Sequence, residues 1–240
     1  MQITVIIPMY NEKSIIAETA KTLSSYMAEH FESYEILFSD DGSLDGCGDV
    51  VRALELPCVR VTGYAQNQGK GCAVRTAMLE AKGDLVMFTD ADLAYGTEVI
   101  GKGYALWEEM GRPDLLLGSR NLGKDGYEGY TWTRRVMSKI YIRVLCLFGG
   151  FRLSDSQCGC KAYAKEAAGE IFSRCRVNGF AFDFETILIA DRLGLRIKEM
   201  PVRVINHRES KVRVIRDTLH MLRDLIRMRR RIKREIPKVK

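Results

Sequence analysis

Residues 3–12 read Ile-Thr-Val-Ile-Ile-Pro-Met-Tyr-Asn-Glu, and this stretch decides the fold class. The continuous apolar run from Ile3 to Pro8 is typical of a strand buried on both faces, and a helical pattern follows it over roughly 13–30. Strands separated by helical patterns of this length indicate βαβ units and a parallel sheet. By the same criteria we predict strands at 34–39, 58–62, 85–89 and 114–118, and helices ending near 55 and spanning 71–82.

The second half of the chain is less regular. Helices are predicted over 133–148, 182–193 and about 212–236, and strands over 158–164 and 195–205. No internal repeat, low-complexity stretch or linker rich in Pro and Gly interrupts the pattern, so we predict one α/β domain spanning 1–240.

Composition supports a globular chain, with 46% hydrophobic and 28% charged residues among 240. No secretory leader precedes Ile3, so we expect the seven cysteines to be reduced and the compartment to be cytoplasmic. Cys158 and Cys160 lack a second Cys or His pair at zinc spacing, which favours ordinary buried thiols. No apolar run approaches the ~18 to 20 residues of a transmembrane helix.

Positive charge is concentrated at the carboxyl end of the chain. From Arg203 to Lys240 there are 14 Lys and Arg against 4 Asp and Glu, whereas the rest of the chain is slightly acidic. Apolar residues at helical spacing accompany this charge, as in basic amphipathic helices that lie on anionic membranes. A helix packed on the body with a solvated basic face is an equal alternative. Both descriptions can hold, with the first part of the helix packed and the segment from Arg229 to Lys240 free.

Acidic residues follow the predicted strands where each strand ends. Asp90 and Asp92 come after the fourth strand, and two carboxylates at this spacing can face one cation. Hard divalent ions such as Mg²⁺ and Mn²⁺ prefer oxygen ligands and commonly combine carboxylates with phosphate oxygens. Taken alone, the pair is better explained by a polar loop that caps a helix beginning near Thr97.

Two other polar stretches lie at predicted strand ends. Residues 39–43 read Ser-Asp-Asp-Gly-Ser, and residues 67–71 read Asn-Gln-Gly-Lys-Gly, which lacks the spacing of a P-loop. The first stretch alone favours a helix cap and turn. The second could bring backbone amides and Lys70 near a nucleotide. Together with Asp90 and Asp92 they place several polar groups at the edge where open α/β sheets bind ligands.

The complete set of motifs resembles the family 2 glycosyltransferases of the GT-A fold. The motifs are Pro8-x-Tyr-Asn-Glu12, Asp41-Gly-Ser43, Gly69-Lys-Gly71, Asp90-Ala-Asp92 and Gly118-Ser-Arg120. Four further motifs resemble the branch of dolichyl-phosphate β-glucosyltransferases and dolichol-phosphate mannose synthases. These are Asp155-Ser-Gln-Cys-Gly-Cys-Lys161, Phe182-Asp-Phe-Glu185, Glu199-Met-Pro-Val202 and Ser210-Lys-Val212.

The resemblance implies a Rossmann-like, mostly parallel sheet flanked by helices, with a basic amphipathic helix at the end. It divides the domain into a nucleotide-sugar-binding half (1–120), an acceptor half (121–210) and the basic helix (211–240). The implied reaction is an inverting hexose transfer from a nucleotide sugar, UDP-glucose rather than GDP-mannose, to a polyprenyl or dolichyl phosphate.

The resemblance also assigns residues by role. It implies nucleotide-sugar contacts from Pro8, Tyr10, Asn11, Glu12, Ser39, Asp41, Lys70, Asp90, Ala91 and Asp92. Metal binding falls to Asp90 and Asp92, with Mg²⁺ or Mn²⁺ as the cofactor. The acceptor phosphate is expected to meet Arg120, Arg134, Ser138, Gln157, Lys161, Arg208 and Lys211. Catalytic roles are expected for Asp90, Asp92 and Arg120, and for Asp183 and Glu185 as carboxylates that contact the sugar.

One position departs from the family pattern. Some mannose synthases carry a glutamine as a further metal ligand two positions after the second aspartate, and here that position is Ala94. Fewer protein groups are therefore expected to hold the metal. A phosphate acceptor is already anionic at pH 7, so the transfer needs cations and alignment rather than a strong general base.

Three other functions stay open at the level of sequence. The first is transfer to a saccharide or other hydroxyl acceptor, for which Asp183 or Glu185 would be the base. The second is a non-catalytic protein that binds nucleotide sugars or nucleic acid; we expect no nucleic-acid partner, because no aromatic stacking set accompanies the basic tail. The third is a sugar-nucleotide pyrophosphorylase, which would show a glycine-rich loop where this chain has Met9 to Glu12. For the preferred function we expect a peripheral position on the cytoplasmic face of an anionic membrane.

Overall fold

The computed structural model describes residues 1–123, 150, 153–205 and 214–238, with side chains of the final helix from Leu225 onward. The strands are β1 (Ile3–Met9), β2 (Tyr34–Asp41), β3 (Val59–Tyr64), β4 (Leu85–Phe88), β5 (Leu115–Ser119), β6 (Lys161–Ala164) and β7 (Ile197–Pro201). The described helices are α1 (Lys13–His30), α2 (Cys47–Arg52), α3 (Lys70–Glu80), α4 (Glu98–Glu109), α5 (Lys165–Phe172), α6 (Phe182–Leu193) and α7 (Val214–Glu235).

The described strands form one sheet in the order β3-β2-β1-β4-β6-β5-β7. Strands β3, β2, β1 and β4 are parallel, and β5 is parallel to β7. Strand β6 lies between β4 and β5 and runs antiparallel to both. The register pairs Pro8 with Ser39 and Ile6 with Phe88, so the carboxyl ends of β1, β2 and β4 lie at the same edge.

Burial on both faces explains why β1 is apolar throughout. Val5 and Ile7 face one core layer, and Ile6 faces the other, where Leu37 and Phe88 pack beside it. All four of these residues of β1 and β2 are completely buried. Strand β1 is buried along its whole length, which is the pattern expected for a central parallel strand.

Helix α1 covers one of these faces with a regular apolar stripe. Ile16, Ala20, Leu23 and Met27 recur at helical spacing and are completely buried. The charged residues of the helix lie on its other side, as in a helix packed against a core. Helix α1 therefore forms because its sequence offers one apolar face to the sheet.

The structure agrees with most of the predicted elements, although β6 and β7 are shorter than predicted. Helix α6 has the predicted bounds, and β2 extends two residues further than expected, to Asp41. Helix α5 was not predicted; Ala167, Ala168, Ile171 and Phe172 form its buried face. The antiparallel direction of β6 was also not predicted, because direction depends on partner strands rather than on local pattern. The helix predicted over 133–148 lies outside the described residues.

The final helix decides between the descriptions left open for the basic tail. A free segment from Arg229 onward does not fit the structure, because Ile232 is buried and Ile236 packs against the same core cluster. The guanidinium of Arg192 donates to the carbonyl oxygens of Lys233 (3.1 Å) and Ile236 (2.9 Å), which fixes the end of the helix to α6. Across the part of the chain that the structure describes, no helix combines the length and apolarity needed to cross a membrane.

Shortening Ile6 tests the central position of β1. Ile6→Ala should lower the free energy of unfolding by about 3 to 4 kcal/mol, because loss of a completely buried side chain leaves a cavity in the core layer between the sheet and α3. Leu79→Ala is the control, since Leu79 is 52% exposed and its loss should cost no more than about 0.5 kcal/mol. Urea unfolding followed by circular dichroism measures both, and equal losses would contradict the assignment.

Candidate active site

The loops after β1 and β2 are joined to each other at the carboxyl edge of the sheet. Asn11 adopts a left-handed backbone conformation, with φ of 53°. Its side-chain oxygen accepts a hydrogen bond from the Leu44 amide (2.9 Å), and its own amide donates to the Ser43 hydroxyl (3.0 Å). Asn11 thus holds the two loops together, while the neighbouring Tyr10 is 43% exposed and available to a ligand.

Several predicted nucleotide contacts lie beneath this edge rather than on it. Pro8 is buried within β1, and the completely buried Ser39 hydroxyl donates to the Ala73 carbonyl (2.7 Å) in α3. Asp41 is also buried and accepts four hydrogen bonds, from the Tyr64 hydroxyl, the Asn67 amide group and the backbone N–H groups of Gln68 and Gly69. Ser39 and Asp41 therefore support the carboxyl edge of the sheet from below, a position that their motif alone did not reveal.

The Asp41 contacts fix the loop that leads to Lys70. Burial raises the pKa of the Tyr64 phenol, and the nearby Asp41 carboxylate raises it further. The Tyr64 hydroxyl therefore stays protonated and donates its hydrogen bond. Gly42 has φ of +69°, and a Cβ there would lie 2.5 Å from the Asn67 backbone nitrogen. Only glycine fits this close approach. The 64–69 loop is thereby held against β2, and α3 begins directly after it.

Lys70 and Asp90 form the central ion pair of the edge. The Lys70 ammonium lies 2.5 Å from Asp90 Oδ1, and both side chains are partly exposed. Burial works to lower the pKa of Lys70, but the carboxylates of Asp90, Asp183 and Asp92 raise it overall. Lys70 is therefore a fixed cation at the carboxyl end of β4.

A second lysine lies underneath the first. The Lys161 ammonium is completely buried, donates to the Ser156 carbonyl (3.0 Å) and forms an ion pair with Asp183 Oδ1. Burial raises the pKa of Asp183, while Lys161 and Lys70 oppose that shift. Both ammonium groups lie about 6 Å from the centre of the Phe88 ring, Lys70 at 6.0 Å and Lys161 at 5.9 Å. Two cations and the carboxylates of Asp90 and Asp183 thus share one cluster.

Gly159 lies against Oδ2 of Asp90, the carboxylate oxygen that does not pair with Lys70. A Cβ at Gly159 would lie 2.1 Å from Asp90 Oδ2, and the Gly159 amide donates to the Tyr95 hydroxyl (3.1 Å). The flanking Cys158 and Cys160 are completely buried, in agreement with ordinary core thiols, and burial raises the pKa of Cys158 to about 11. The Cys-Gly-Cys segment therefore limits the Asp90 carboxylate to one position.

Arg120 is anchored by a residue to which the sequence assigned no role. Its guanidinium forms a two-point ion pair with the completely buried Asp155, at 2.6 and 3.1 Å. Burial opposes the charge, but Asp155 raises the pKa of Arg120 well above its ordinary value. Glu199 in turn accepts from the Ser154 amide (2.9 Å) and the Asp155 amide (3.2 Å). Both carboxylates stand in the family motifs, which was the available signal for their importance.

Gln157 and Lys161 lie in the segment that follows Asp155. The backbone N–H of Gln157 donates to Asp155 Oδ1 (3.1 Å), which places this half-buried residue beside the ion pair of Arg120 and Asp155. Lys161 is buried under the edge, so it acts on the site through Asp183 rather than by open contact with an acceptor. Four other predicted acceptor residues, Arg134, Ser138, Arg208 and Lys211, lie outside the described residues.

Glu185 does not fit the role of a carboxylate that contacts the sugar. Its side chain is completely buried and accepts from the backbone amides of Arg176 (3.0 Å) and Val177 (2.8 Å). It also forms an ion pair with Arg231 of α7. Both carboxylate oxygens are committed to these donors, which corrects the expectation and leaves Asp183 as the carboxylate of this motif within the charged cluster.

The carboxyl edge of the sheet could hold a divalent cation whose coordination is completed by oxygens of the substrate. Asp90 and Asp92 are both partly exposed, and Asp92 Oδ1 accepts from the Ala94 amide (3.1 Å). Within the described ranges, no cluster of three or more Asp, Glu, His or Cys is placed to hold a metal. Two carboxylates with oxygens from a diphosphate and water match the coordination that Mg²⁺ commonly takes.

Comparison with known proteins adds sequence relatives. The sequence model of the family described as "Glycosyl transferase family 2" matches residues 4–172. The dolichyl-phosphate beta-glucosyltransferase of Dictyostelium discoideum is 29% identical, over 99% of this chain and 77% of its own. The human protein of the same name is also 29% identical, over 96% of this chain and 75% of its own.

Solved structures share the fold. Glucosyl-3-phosphoglycerate synthase from Mycobacterium tuberculosis, crystallised with Mn²⁺, UDP and phosphoglyceric acid, superposes with a TM-score of 0.69. It is 22% identical, over 98% of this chain and 79% of its own. Mannosyl-3-phosphoglycerate synthase from Rubrobacter xylanophilus gives a TM-score of 0.65 at 21% identity, over 98% of this chain and 75% of its own. At these identities the likeness establishes the fold alone.

A methyl group at Gly159 should displace the Asp90 carboxylate. We expect Gly159→Ala to weaken metal-dependent binding of UDP or GDP by about 10- to 100-fold, the range seen when the support of a metal ligand is lost. Isothermal titration calorimetry with UDP or GDP, with and without Mn²⁺, measures this effect. Gly169→Ala is the control, because a Cβ there meets nothing within 4 Å and should raise helix stability slightly. Unchanged nucleotide binding by Gly159→Ala would contradict the proposed crowding.

Proposed function

Because the chain belongs to glycosyl transferase family 2, as its motifs predicted, we propose that it transfers a hexose from a nucleotide sugar to a polyprenyl phosphate such as dolichyl phosphate. One observation carries the acceptor assignment: relatives aligned over 96 to 99% of the chain are named dolichyl-phosphate beta-glucosyltransferases. That name favours a glucosyl donor and therefore UDP-glucose over GDP-mannose. The chain itself is a glycosyltransferase by family and fold.

The geometry supports the donor half of this proposal. Lys70 is a fixed cation beside Asp90, at the edge where Asp92 is also partly exposed. When bound there, Mg²⁺ or Mn²⁺ would neutralise negative charge on the diphosphate leaving group. Asp90 and Asp92 would hold the cation, and Lys70 would add its own positive charge as the bond to the sugar breaks. Tyr10 is exposed at the same edge and can pack against the nucleoside.

The acceptor half requires positive charge and alignment. A phosphate oxygen is already anionic at pH 7, so it can attack the sugar without a strong base. Attack from the face opposite the leaving group gives inversion. Arg120 would meet the acceptor phosphate from a position fixed by Asp155, and Gln157 lies in the same segment. Arg134, Ser138, Arg208 and Lys211 complete the proposed acceptor set.

A hydroxyl acceptor is the alternative and would place a different demand on the site. A hydroxyl must lose its proton, and Asp183 is the carboxylate of the cluster that could take it. Its pKa is raised, as a general base requires, but it is already engaged by Lys161. This engagement favours the phosphate acceptor.

Transfer assays test the reaction directly. We expect glycolipid to form from UDP-glucose and a short-chain polyprenyl phosphate with Mn²⁺ or Mg²⁺, and to be lost with chelator. Asp92→Ala should lower the transfer rate by at least about 100-fold while the melting temperature stays close to wild type, because the residue lies at a strand end outside the core. Asp49→Ala is the control, since that carboxylate is exposed on α2 and pairs with Arg52.

The assay also separates the alternatives. Parallel reactions contain GDP-mannose as donor and saccharide hydroxyl compounds as acceptors. Product on a hydroxyl acceptor, with none on polyprenyl phosphate, would overturn the acceptor assignment and keep the enzyme class. Full activity of Asp92→Ala, or activity that resists chelator, would overturn the metal assignment.

We further propose that α7 holds the enzyme on the cytoplasmic face of an anionic membrane. Its buried side packs on the body through Leu225, Met228 and Ile232. Basic side chains are exposed around the rest of its surface, namely Arg227, Arg229, Arg230, Lys233 and Arg234. Each such cation near an anionic membrane contributes roughly 1 kcal/mol to binding.

Charge reversal tests the membrane role without disturbing the packed side of the helix. The triple variant Arg227→Glu, Arg230→Glu and Arg234→Glu should lose at least about 3 kcal/mol of binding to phosphatidylserine vesicles in co-sedimentation. Turnover of a short-chain acceptor in solution should persist. A triple variant of equal charge change, Lys21→Glu, Lys82→Glu and Lys102→Glu, alters exposed lysines elsewhere. Equal loss of vesicle binding by both variants would point to net charge rather than to α7.

A further inference from the structure

The buried carboxylate of Glu185 connects three separate parts of the chain. It lies in the first turn of α6 and accepts from the amides of Arg176 and Val177, which belong to the preceding loop. Its charge is matched by the guanidinium of Arg231. Burying a carboxylate is costly unless its charge is paired and its oxygens are hydrogen-bonded. Hydrogen bonds from these three donors offset the free-energy cost of burying the Glu185 carboxylate.

The matching cation comes from the last helix. Arg231 lies on α7 between the buried Met228 and Ile232, so its side chain points toward the body and is 19% exposed. The same guanidinium lies 3.8 Å from Glu235 on its own helix. Docking of α7 is therefore what delivers a positive charge to the start of α6.

The loop fixed by Glu185 packs tightly on the start of α3. The carbonyl oxygen of Asn178 accepts from the Cys72 amide (3.2 Å), and its side-chain oxygen accepts from Arg75 (2.9 Å). A Cβ at Gly69 would lie 2.6 Å from the Asn178 carbonyl oxygen, and one at Gly71 would lie 2.7 Å from that of Val177. Lys70 stands between these two glycines, so a shift of the loop must move Lys70.

The first turn of α6 also carries Asp183, two residues before Glu185. Asp183 pairs with Lys161, and both belong to the charged cluster around Asp90. Displacement of Glu185 would therefore disturb the cluster from two directions, through Lys70 on α3 and through Asp183 on α6. In active sites, a misplacement of about 1 Å can lower the rate about 100-fold.

We propose that Arg231 is a positioning residue for the transfer reaction, acting through Glu185 to hold the 175–179 loop, and through it Lys70 and Asp183. The proposal rests on the function proposed above for this site. Arg231 thereby supports the active site by holding its neighbours in place. Loss of Arg231 leaves the buried Glu185 without its cation, and the loop must move to admit water to that carboxylate.

Steady-state kinetics test this role with a matched control. Arg231→Met should lower kcat at least about tenfold with a smaller change in KM for the nucleotide sugar, and Arg231→Lys should restore part of the loss. Arg192→Met is the control, because Arg192 also ties α7 to α6 but bonds the carbonyl oxygens of Lys233 and Ile236. We expect it to lower the melting temperature and to leave kcat unchanged.

Combining Arg231→Met with Glu185→Gln adds a second readout. If Arg231 acts through Glu185, the double variant should lose no more kcat than the more damaged single variant. Equal kcat loss in Arg192→Met and Arg231→Met would overturn the proposal, because loosened docking would then explain both. So would additive losses in the double variant.

If the wild-type protein transfers no hexose to polyprenyl phosphate, the proposed function is wrong, but the positioning role of Arg231 can still be tested. Hydrogen exchange provides that test. Amide exchange over 175–183 should then be faster in Arg231→Met than in Arg192→Met, since the Arg176 and Val177 amides lose a fixed acceptor. Equal exchange in the two variants would overturn the positioning role.

Discussion

Burial of the central strands on both faces is the constraint on which the rest of the molecule depends. Ile6 and Ile7 of β1 belong to opposite core layers, and the neighbouring residues of β2 and β4 are equally buried. A strand covered on both sides can present polar groups only where it ends. The parallel register of β1, β2 and β4 then brings three such ends together, and the sequence places Tyr10, Asp41 and Asp90 there or directly beneath.

Ion pairs beneath that edge hold its charged side chains in place. Asp41 holds the loop before Lys70, and Lys70 pairs with Asp90. Lys161 pairs with Asp183, and both lysines lie near the ring of Phe88. Arg120 and Asp155 form a comparable pair beyond the end of β5. Because buried charges are costly alone, each pair fixes the position of its partner. Charges held in this way are arranged before substrate arrives, which is what the proposed stabilisation of a diphosphate leaving group requires.

The last helix connects this site to the proposed membrane surface. From Leu225 onward, one side of α7 packs on the body through apolar residues, and most of its exposed side chains are basic. Arg231 turns from that basic set toward the body and meets Glu185. The same element thus carries the charges proposed to bind lipid and the charge proposed to hold the 175–179 loop.

The sequence by itself determined the α/β class, most element bounds and the family, because periodicity and local motifs encode them. Asp90 and Lys70 could be chosen as site residues from the motifs alone. The direction of β6, the burial of Ser39 and Asp41, and the role of Glu185 could not, since each depends on partners distant in the chain. Glu185 and Asp183 stand two residues apart in one motif, yet one faces Arg231 and the other faces Lys161. Only the tertiary structure decides such a difference, because the partners of a buried charge are set by packing rather than by sequence spacing.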